Sequence, residues 1–115
     1  MQLFSWNSVK KEKLNEKLGR KVIHGEKVTL AQIYLAKDAV VPLHHHESEQ
    51  LSCVLEGAVK FELEGTEVVV HQGDVLQIPA NAPHAVRALE DSVALDVFSP
   101  IRLDWLTGQD DYLRR

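Results

Sequence analysis

The chain has one cysteine, Cys53, so it has no internal disulfide, as is usual for a protein of a reducing compartment. It also lacks an apolar run long enough to span a membrane, and its start, MQLFSWNSVKKEK, lacks the apolar core of a signal peptide. We therefore expect a cytoplasmic protein with no membrane partner. The flanks of Cys53, LSCVLEG, are typical of a strand, which predicts a small buried side chain rather than a nucleophile.

No linker, low-complexity segment or internal repeat divides the chain, and 115 residues suffice for one domain only. The net charge of −4 is unevenly distributed. Residues 1–37 carry 8 of the 13 Lys/Arg and 3 of the 17 Asp/Glu, a local charge of +5, and the remainder carries −9. The basic stretch KKEKLNEKLGRK interleaves glutamates and contains no aromatic residue, which indicates a solvated face rather than a nucleic-acid site.

After about residue 20, short apolar or alternating segments are separated by glycine and proline, a pattern that predicts strands. The glycine in EGT, residues 64–66, predicts a tight hairpin turn. Only residues 8–18 and 102–114 have a helical pattern. Seven or eight short antiparallel strands in one domain predict an all-β sandwich or small barrel. The predicted strands are KVTLAQIYLAK, LSCVL, AVKFELE, TEVVVH, DVLQIP, HAVRAL and SVALDVF.

The run HHHESEQ, residues 44–50, raises the question of a metal site. On an extended segment His44 and His46 share one face, and His45 points the other way. An H-x-H pair is a weak signal alone, because polar loops also contain paired histidines. Gln50 offers a carbonyl oxygen, and His84, which follows two prolines in IPANAPH, offers a third imidazole.

Two motifs in order resemble those of the cupin superfamily. The second glycine of the second motif is replaced by Asn81, and the usual glutamate of the first by Gln50. The resemblance implies a jelly-roll barrel of two antiparallel sheets, with short helical segments at both ends and one metal ion in its mouth. We expect an N-terminal segment, 1–19, and a cupin domain, 20–115. The matching residues are Pro42, His44, His46, Gln50 and Gly57 of P-x-H-x-H-x3-Q-x6-G, and Gly73, Pro79 and His84 of G-x5-P-x-G-x2-H.

Gln50 distinguishes the expected site from the usual pattern. With His44, His46, Gln50 and His84 as ligands, no ligand is anionic, so the ion keeps its full charge and favours an anionic substrate. Ni, Zn, Mn, Co and Fe are all compatible with these ligands. A metal-free, sugar-binding cupin is the alternative.

The last predicted strand carries a second group of candidates. In ALDVFSPIRLDWL, Asp96 and Phe98 alternate with Leu95 and Val97 and so share a face. A carboxylate in an apolar strand is costly to bury without a role or a partner. The guanidinium of Arg102 can donate two parallel hydrogen bonds to a carboxylate. The structural alternatives are an Asp96–Arg102 ion pair, a core phenylalanine and a solvated arginine.

The block DVFSPIRLDWLTGQDDYLR, with H-x-H-x3-Q and GEKVTLAQIYLAK, resembles the KdgF family of small cupins. That resemblance implies ring opening of 4,5-unsaturated monouronates, released from pectin and alginate, to linear 4-deoxy-5-keto uronates. It assigns proton transfer to Asp96, sugar packing to Phe98 and binding of the substrate carboxylate to Arg102. It also implies a homodimer. The competing hypotheses are another cupin enzyme, a dioxygenase or sugar isomerase, and a non-catalytic sugar-binding cupin.

Overall fold

The computed structural model describes all 115 residues. None of its helices has both the length and the apolarity needed to cross a membrane. One short α-helix, α1, spans Leu103–Leu106, and 3-10 helices span Trp6–Ser8 and Asp111–Arg114. The ten strands are β1 Glu12–Asn15, β2 Leu18–His24, β3 Thr29–Leu35, β4 Val40–His44, β5 Glu49–Glu56, β6 Ala58–Leu63, β7 Thr66–His71, β8 Val75–Ile78, β9 His84–Ala88 and β10 Ser92–Ser99.

The strands form two antiparallel sheets, so the predicted all-β, two-sheet fold is confirmed. One sheet has six strands in the order β1-β2-β3-β10-β5-β8, and the other has four in the order β4-β9-β6-β7. β10 lies in the middle of the larger sheet, between β3 and β5. In the smaller sheet β4 pairs with β9, and His44 lies directly opposite His84. These two pairings position the candidate site.

The core lies between the sheets because side chains alternate along each strand. In β10, Ser92, Ala94, Asp96 and Phe98 are buried and their neighbours are not. Burial of each large core side chain contributes about 1.5–3 kcal/mol. One apolar cluster contains Leu14, Leu18, Leu35, Ala39, Val41, Ala88 and Leu113. The second contains Val54, Val59, Phe61, Val70 and Ile78.

Two glycines hold turns in the left-handed region. The predicted hairpin at 64–66 is confirmed: Glu64 and Gly65, with φ of 49° and 79°, join β6 to β7. Gly57 separates β5 from β6 with φ 87°. A Cβ on Gly57 would lie 2.3 Å from Ser92 Oγ and 2.4 Å from the Asp91 carbonyl oxygen, so this position excludes every other residue.

The N-terminal helix predicted over residues 8–18 is wrong. Glu12–Asn15 is strand β1, which pairs with β2. Leu14 and Leu18 are four residues apart, a helical spacing, but a turn between the two strands brings both into the core. The count of seven or eight strands was also too low, because β1, β2 and β4 were not recognised individually. The boundary between an N-terminal segment, 1–19, and a cupin domain, 20–115, stays a prediction. Strand β1 lies before this boundary and pairs with β2 in the six-stranded sheet.

Two smaller predictions have different outcomes. The tail predicted to be helical contains α1 and the 3-10 helix Asp111–Arg114, so it is helical only in two short pieces. Cys53 is half-buried on the outward side of β5 rather than buried. Its pKa is raised by burial and by the charge of Asp96, which agrees with an unreactive thiol.

Candidate metal centre

Three histidines meet at the mouth of the barrel. His44 ends β4, His84 begins β9 opposite it, and His46 follows two residues after β4. Their ligand atoms all lie within 4.8 Å of one another. His46 and His84 are buried, at 8% and 1% exposure, and His44 is half-buried. The structure thus brings together the three imidazoles that the two motifs predicted.

Backbone carbonyls orient each ring. His44 Nδ1 donates to the Pro42 carbonyl (2.7 Å), His46 Nδ1 to that of Ser48 (2.8 Å), and His84 Nδ1 to that of Ala82 (2.8 Å). A carbonyl oxygen only accepts, so each Nδ1 carries the proton and each Nε2 keeps a lone pair for a metal ion.

The environment also keeps these imidazoles neutral, the form that binds metal. Burial, together with the nearby His84, lowers the pKa of His44 to about 3. Burial and the charge of Arg102 lower the pKa of His46 to about 4. The pKa of His84 is lowered as well, mainly by burial. At neutral pH no proton therefore competes for the three Nε2 atoms.

Gln50 completes the donor set. Its Oε1 lies 3.1 Å from His46 Nε2, and in the tautomer described above both atoms are acceptors. Two lone pairs that face each other without a hydrogen are satisfied by a shared cation. A separation of about 3 Å suits two adjacent ligand atoms with bonds of about 2.1 Å. The residues present therefore fit a divalent metal ion.

Asp96 lies beside this cluster. In the register of β10 and β5, Asp96 pairs with Ser52 and Phe98 pairs with Gln50. The Ser52 hydroxyl donates to Asp96 Oδ1 at 2.6 Å. Burial raises the pKa of Asp96 to about 6, although the hydrogen bond from Ser52 and the charge of Arg102 act in the opposite direction. Both protonation states of this carboxyl are accessible near neutral pH.

Arg102 is buried, at 2% exposure, so it is not solvated. Its guanidinium lies 4.7 Å from the Phe98 ring centroid and 4.4 Å from that of Trp105. Its Nε donates to Asp104 Oδ1 (3.0 Å), and its Nη2 donates to Asp104 Oδ2 (2.8 Å) and to the Tyr112 hydroxyl. The ion pair considered between Asp96 and Arg102 is not formed, because Asp104 takes that place.

Four residues of the site were missed in the sequence. Ser52 was detectable, because it follows Gln50 by two positions and so shares its face. Asp104 is two residues from Arg102, but nothing in the sequence chose it over Asp96 as the partner. Trp105 and Tyr112 gave no signal, because their contacts depend on how the tail folds back. The Tyr112 ring stacks on His44 at a centroid distance of 4.8 Å.

One cavity extends into the barrel from His44, whereas His46 and His84 lie beside it and not in its lining. Its polar lining consists of His44, Gln50, Ser52, Asp96, Arg102 and Tyr112. Phe98 does not line this cavity, and its ring packs against the histidine cluster with its centroid 5.6 Å from that of His46. His45 and His71 are exposed and His24 is half-buried at the end of β2, as the sequence predicted.

Comparisons with known proteins agree with this geometry. The cupin domain family matches residues 31–99. The pectin degradation protein KdgF of Dickeya dadantii (strain 3937) is 32% identical over 98 residues, 83% of this chain and 89% of that protein. This chain is a cupin of the KdgF family.

The fold of this cupin is similar to that of solved cupin structures. KdgF from Halomonas sp. superimposes with a TM-score of 0.83 at 30% identity, covering 90% of this cupin and 99% of that chain. An RmlC-like cupin from Shewanella frigidimarina NCIMB 400 gives a TM-score of 0.84 at 25% identity, covering 91% and 96%. The predicted cupin fold and the KdgF resemblance are both confirmed.

Proposed function

We propose that this cupin opens the ring of 4,5-unsaturated monouronates, giving linear 4-deoxy-5-keto uronates in the breakdown of pectin or alginate. The observation that carries the proposal is one cavity lined by His44, Asp96 and Arg102, with the other two histidines of the cluster beside His44. The kinship with the pectin degradation protein KdgF supports this substrate class.

The reaction is an isomerisation that moves one proton. The substrate is a cyclic hemiacetal whose ring oxygen is also the oxygen of an enol ether beside the carboxylate. Removal of the proton from the anomeric hydroxyl forms the aldehyde and breaks the bond between C1 and the ring oxygen, leaving an enolate. Protonation at C4 then gives the 5-keto acid. No atom is gained or lost, so the protein has to supply a proton carrier and a fixed orientation.

Asp96 is the proposed proton carrier. Ser52 holds Oδ1 of its carboxylate at 2.6 Å, which leaves Oδ2 for the substrate. A carboxylate in this position accepts the hydroxyl proton and returns it to C4, a contribution of about a hundredfold or more in rate. Phe98 packs against the sugar, and Arg102 supplies the positive charge for its carboxylate.

The proposed metal ligands are His44, His46, Gln50 and His84. A bound Ni, Zn, Mn, Co or Fe ion would polarise a sugar hydroxyl and stabilise negative charge on oxygen. The neutral ligands leave the charge of the ion uncompensated, and this favours an anionic sugar as the partner of the site.

The test follows the loss of enol absorbance after mixing the metal-loaded protein with freshly lyase-generated unsaturated monouronate. Wild type is expected to exceed the spontaneous rate clearly, and Asp96→Ala to fall to that rate. Asp111→Asn is the matched control, because Asp111 is exposed and lies outside the cavity. No acceleration by the wild type with monouronates from either polymer would reject the proposal. Wild-type activity that survives Asp96→Ala would reject Asp96 as the carrier.

We further propose a homodimer that packs through the outer face of the six-stranded sheet. Apolar residues of neighbouring strands lie side by side on this face. Val97 pairs with Leu51, Leu95 pairs with Cys53, and Cys53 pairs with Val75. Leu51 is 40% exposed and Val75 is 59% exposed. An exposed apolar patch of this kind can pack on the same patch of a second copy.

Light scattering after size exclusion tests this face with Leu51→Lys, which is expected to produce monomers. The control is Val69→Lys on the other sheet, because Val69 is also 40% exposed. A monomeric wild type, or a dimer that survives Leu51→Lys, would rule out this interface.

A further inference from the structure

The C-terminal tail covers the candidate site. We call residues 103–109 the cap. Its Trp105 packs at centroid distances of 5.1 Å from the Phe98 ring and 4.4 Å from the Arg102 guanidinium carbon. With the cap in place, Asp96 is 9% exposed, Phe98 2% and Arg102 2%. A monosaccharide does not reach these side chains unless the covering segment moves.

The backbone of the cap makes few connections to the rest of the protein. Its backbone hydrogen bonds are all made within residues 101–109, and none reaches a strand. No residue of α1 is buried, and Leu103 and Leu106 are 63% and 53% exposed. The side chain of Trp105, which packs against a core cluster and lies 4.5 Å from the Arg20 guanidinium carbon, is thus the main attachment of the cap. A segment whose backbone makes only local hydrogen bonds opens without unfolding the rest once such a side chain is released.

The residues that follow the cap are, in contrast, anchored. Asp110 accepts hydrogen bonds from Arg20 and Arg114, each at 2.6 Å, and Leu113 belongs to a core cluster. The cap can therefore move while the tail stays attached. Gly108, with φ 73° and open space around its Cα, lies between the cap helix and this anchor.

Two features allow the cap to open when a ligand binds. The first is the ion pair in which Asp104 occupies the Nε and Nη2 edge of Arg102, the edge that also binds a ligand carboxylate in two parallel hydrogen bonds. The second is Trp105 Nε1, a buried donor that lies near the Tyr112 hydroxyl but makes no hydrogen bond of good geometry. An unsatisfied buried donor disfavours the closed position.

We propose that Asp104 determines specificity: the carboxylate of an anionic sugar replaces that of Asp104 on Arg102, and this exchange releases the cap. The inference rests on the function proposed above only in naming a uronate as the ligand. The exchange conserves charge and hydrogen bonds at Arg102. A neutral sugar cannot make it, because displacing Asp104 would leave a buried guanidinium without a counter-ion. The cap therefore discriminates against neutral sugars.

The first arm of the test measures binding of D-galacturonate and D-galactose to metal-loaded protein by titration calorimetry. Wild type is expected to prefer galacturonate. Asp104→Asn keeps the size of the side chain but removes the competing charge, so it is expected to bind galacturonate at least about fivefold more tightly. Asp38→Asn is the matched control, because Asp38 pairs with Arg87 on the surface at 3.1 Å, and it is expected to match wild type.

The second arm observes the cap directly. Trp6 and Trp105 are the two tryptophans, so a Trp6→Phe background leaves Trp105 as the reporter. Galacturonate is expected to make Trp105 more accessible to acrylamide quenching, and galactose to leave it protected. Thermal melting of each variant confirms that it is folded.

Either arm can overturn the proposal. Weaker galacturonate binding by Asp104→Asn would show that Asp104 positions Arg102 rather than competing for it. A Trp105 that stays protected with galacturonate bound would show that the cap does not open, and the absence of any preference over galactose would remove the selectivity. Neither arm requires turnover. Cap opening without ring opening would reject only the proposed reaction, and ring opening without these effects would reject only this inference.

Discussion

At the scale of single residues, Gln50 is the most informative position. It stands where cupins usually have glutamate, and its oxygen lies 3.1 Å from His46 Nε2. A neutral ligand binds a cation less strongly but leaves more positive charge for an anionic substrate. This residue therefore relates the metal site to the proposed uronate.

The Gln50→Glu variant tests whether a weaker metal ligand favours binding of the anionic substrate. It is expected to bind Zn or Mn about tenfold or more tightly, because the ligand becomes anionic, and to raise the KM for unsaturated monouronate. Competition with a chromophoric chelator gives the metal affinity, and initial rates give the KM. Gln72→Glu, on an exposed turn, serves as the control. Tighter metal binding with an unchanged KM would contradict the electrostatic account.

A second residue-scale prediction concerns the motif glycine Gly57. Gly57→Ala adds a Cβ that clashes with Ser92 and Asp91, whereas the same change at Gly65 meets nothing within 4 Å. Both glycines have positive φ, so each alanine carries a backbone cost of about 1–2 kcal/mol. The Gly57 variant is expected to lose about 1–3 kcal/mol more from overpacking. Urea denaturation measures both losses, and equal values would contradict the steric argument.

At the scale of elements, sequence patterns predicted the strands with clear alternation or clear boundaries. TEVVVH was predicted as a strand and is β7, from Thr66 to His71. β1 failed because Leu14 and Leu18 satisfy a helical spacing and a hairpin equally well, and only tertiary pairing decides between them. β4 was missed because Pro42 interrupts its pattern.

The candidate site likewise contains residues that the sequence predicted and contacts that it did not. Alternation placed Asp96 and Phe98 on the inward face of β10, and motif spacing identified His44, His46 and His84. The partner of Arg102 is local in sequence, since Asp104 is two residues away, but the choice of Asp104 over Asp96 depends on the backbone turn that begins α1. The chemical roles assigned to Asp96, Phe98 and Arg102 stay predictions.

The anchor of the tail gives an element-scale prediction. Asp110 has a side chain only 3% exposed. Burial acts to raise its pKa, but hydrogen bonds from Arg20 and Arg114 outweigh burial and lower the pKa below its usual value. A carboxyl with a lowered folded-state pKa stabilises the fold above its unfolded-state pKa of about 3.9, and this stability is lost as the pH falls through the folded-state value.

Asp110→Asn is therefore expected to lose about 1–3 kcal/mol of unfolding free energy at pH 7, because the charged hydrogen bonds from Arg20 and Arg114 are lost and Arg20 keeps only Glu12 as an anionic partner. The difference in unfolding free energy between variant and wild type is expected to narrow as the pH falls below about 4, because the carboxyl of the unfolded wild type becomes protonated there while that of the folded state stays ionised to a lower pH. Urea denaturation from pH 2 to 7 measures it, with Asp111→Asn as control. A gap that does not change with pH would contradict the linkage.

At the scale of the whole molecule, the metal site joins parts that are distant in sequence. His44 and His46 precede β5, and His84 begins β9, so an ion bound by all three cross-links the chain in the folded state only. Binding that is confined to the folded state stabilises it.

Removal of the metal is expected to lower the Tm by roughly 10 °C when the free ion had been at about a hundred times its Kd. Thermal melting with and without chelator, followed by metal addition, measures the shift. His84→Ala is expected to melt at the same temperature in both conditions, while His45→Ala, which changes an exposed ring, is expected to respond as wild type does. A shift that persists in His84→Ala would place the ion elsewhere.

The tail that covers the metal centre also has a consequence for the order of biosynthesis. A ribosome makes the chain from its N-terminus, so all three imidazoles have been polymerised before Arg102, Trp105 and Tyr112 are added. The carbonyls that orient those rings belong to residues 42, 48 and 82, and they too precede the tail. The residues that cover the mouth of the barrel therefore leave the ribosome after every proposed metal ligand, so the ligands are available before their cover is.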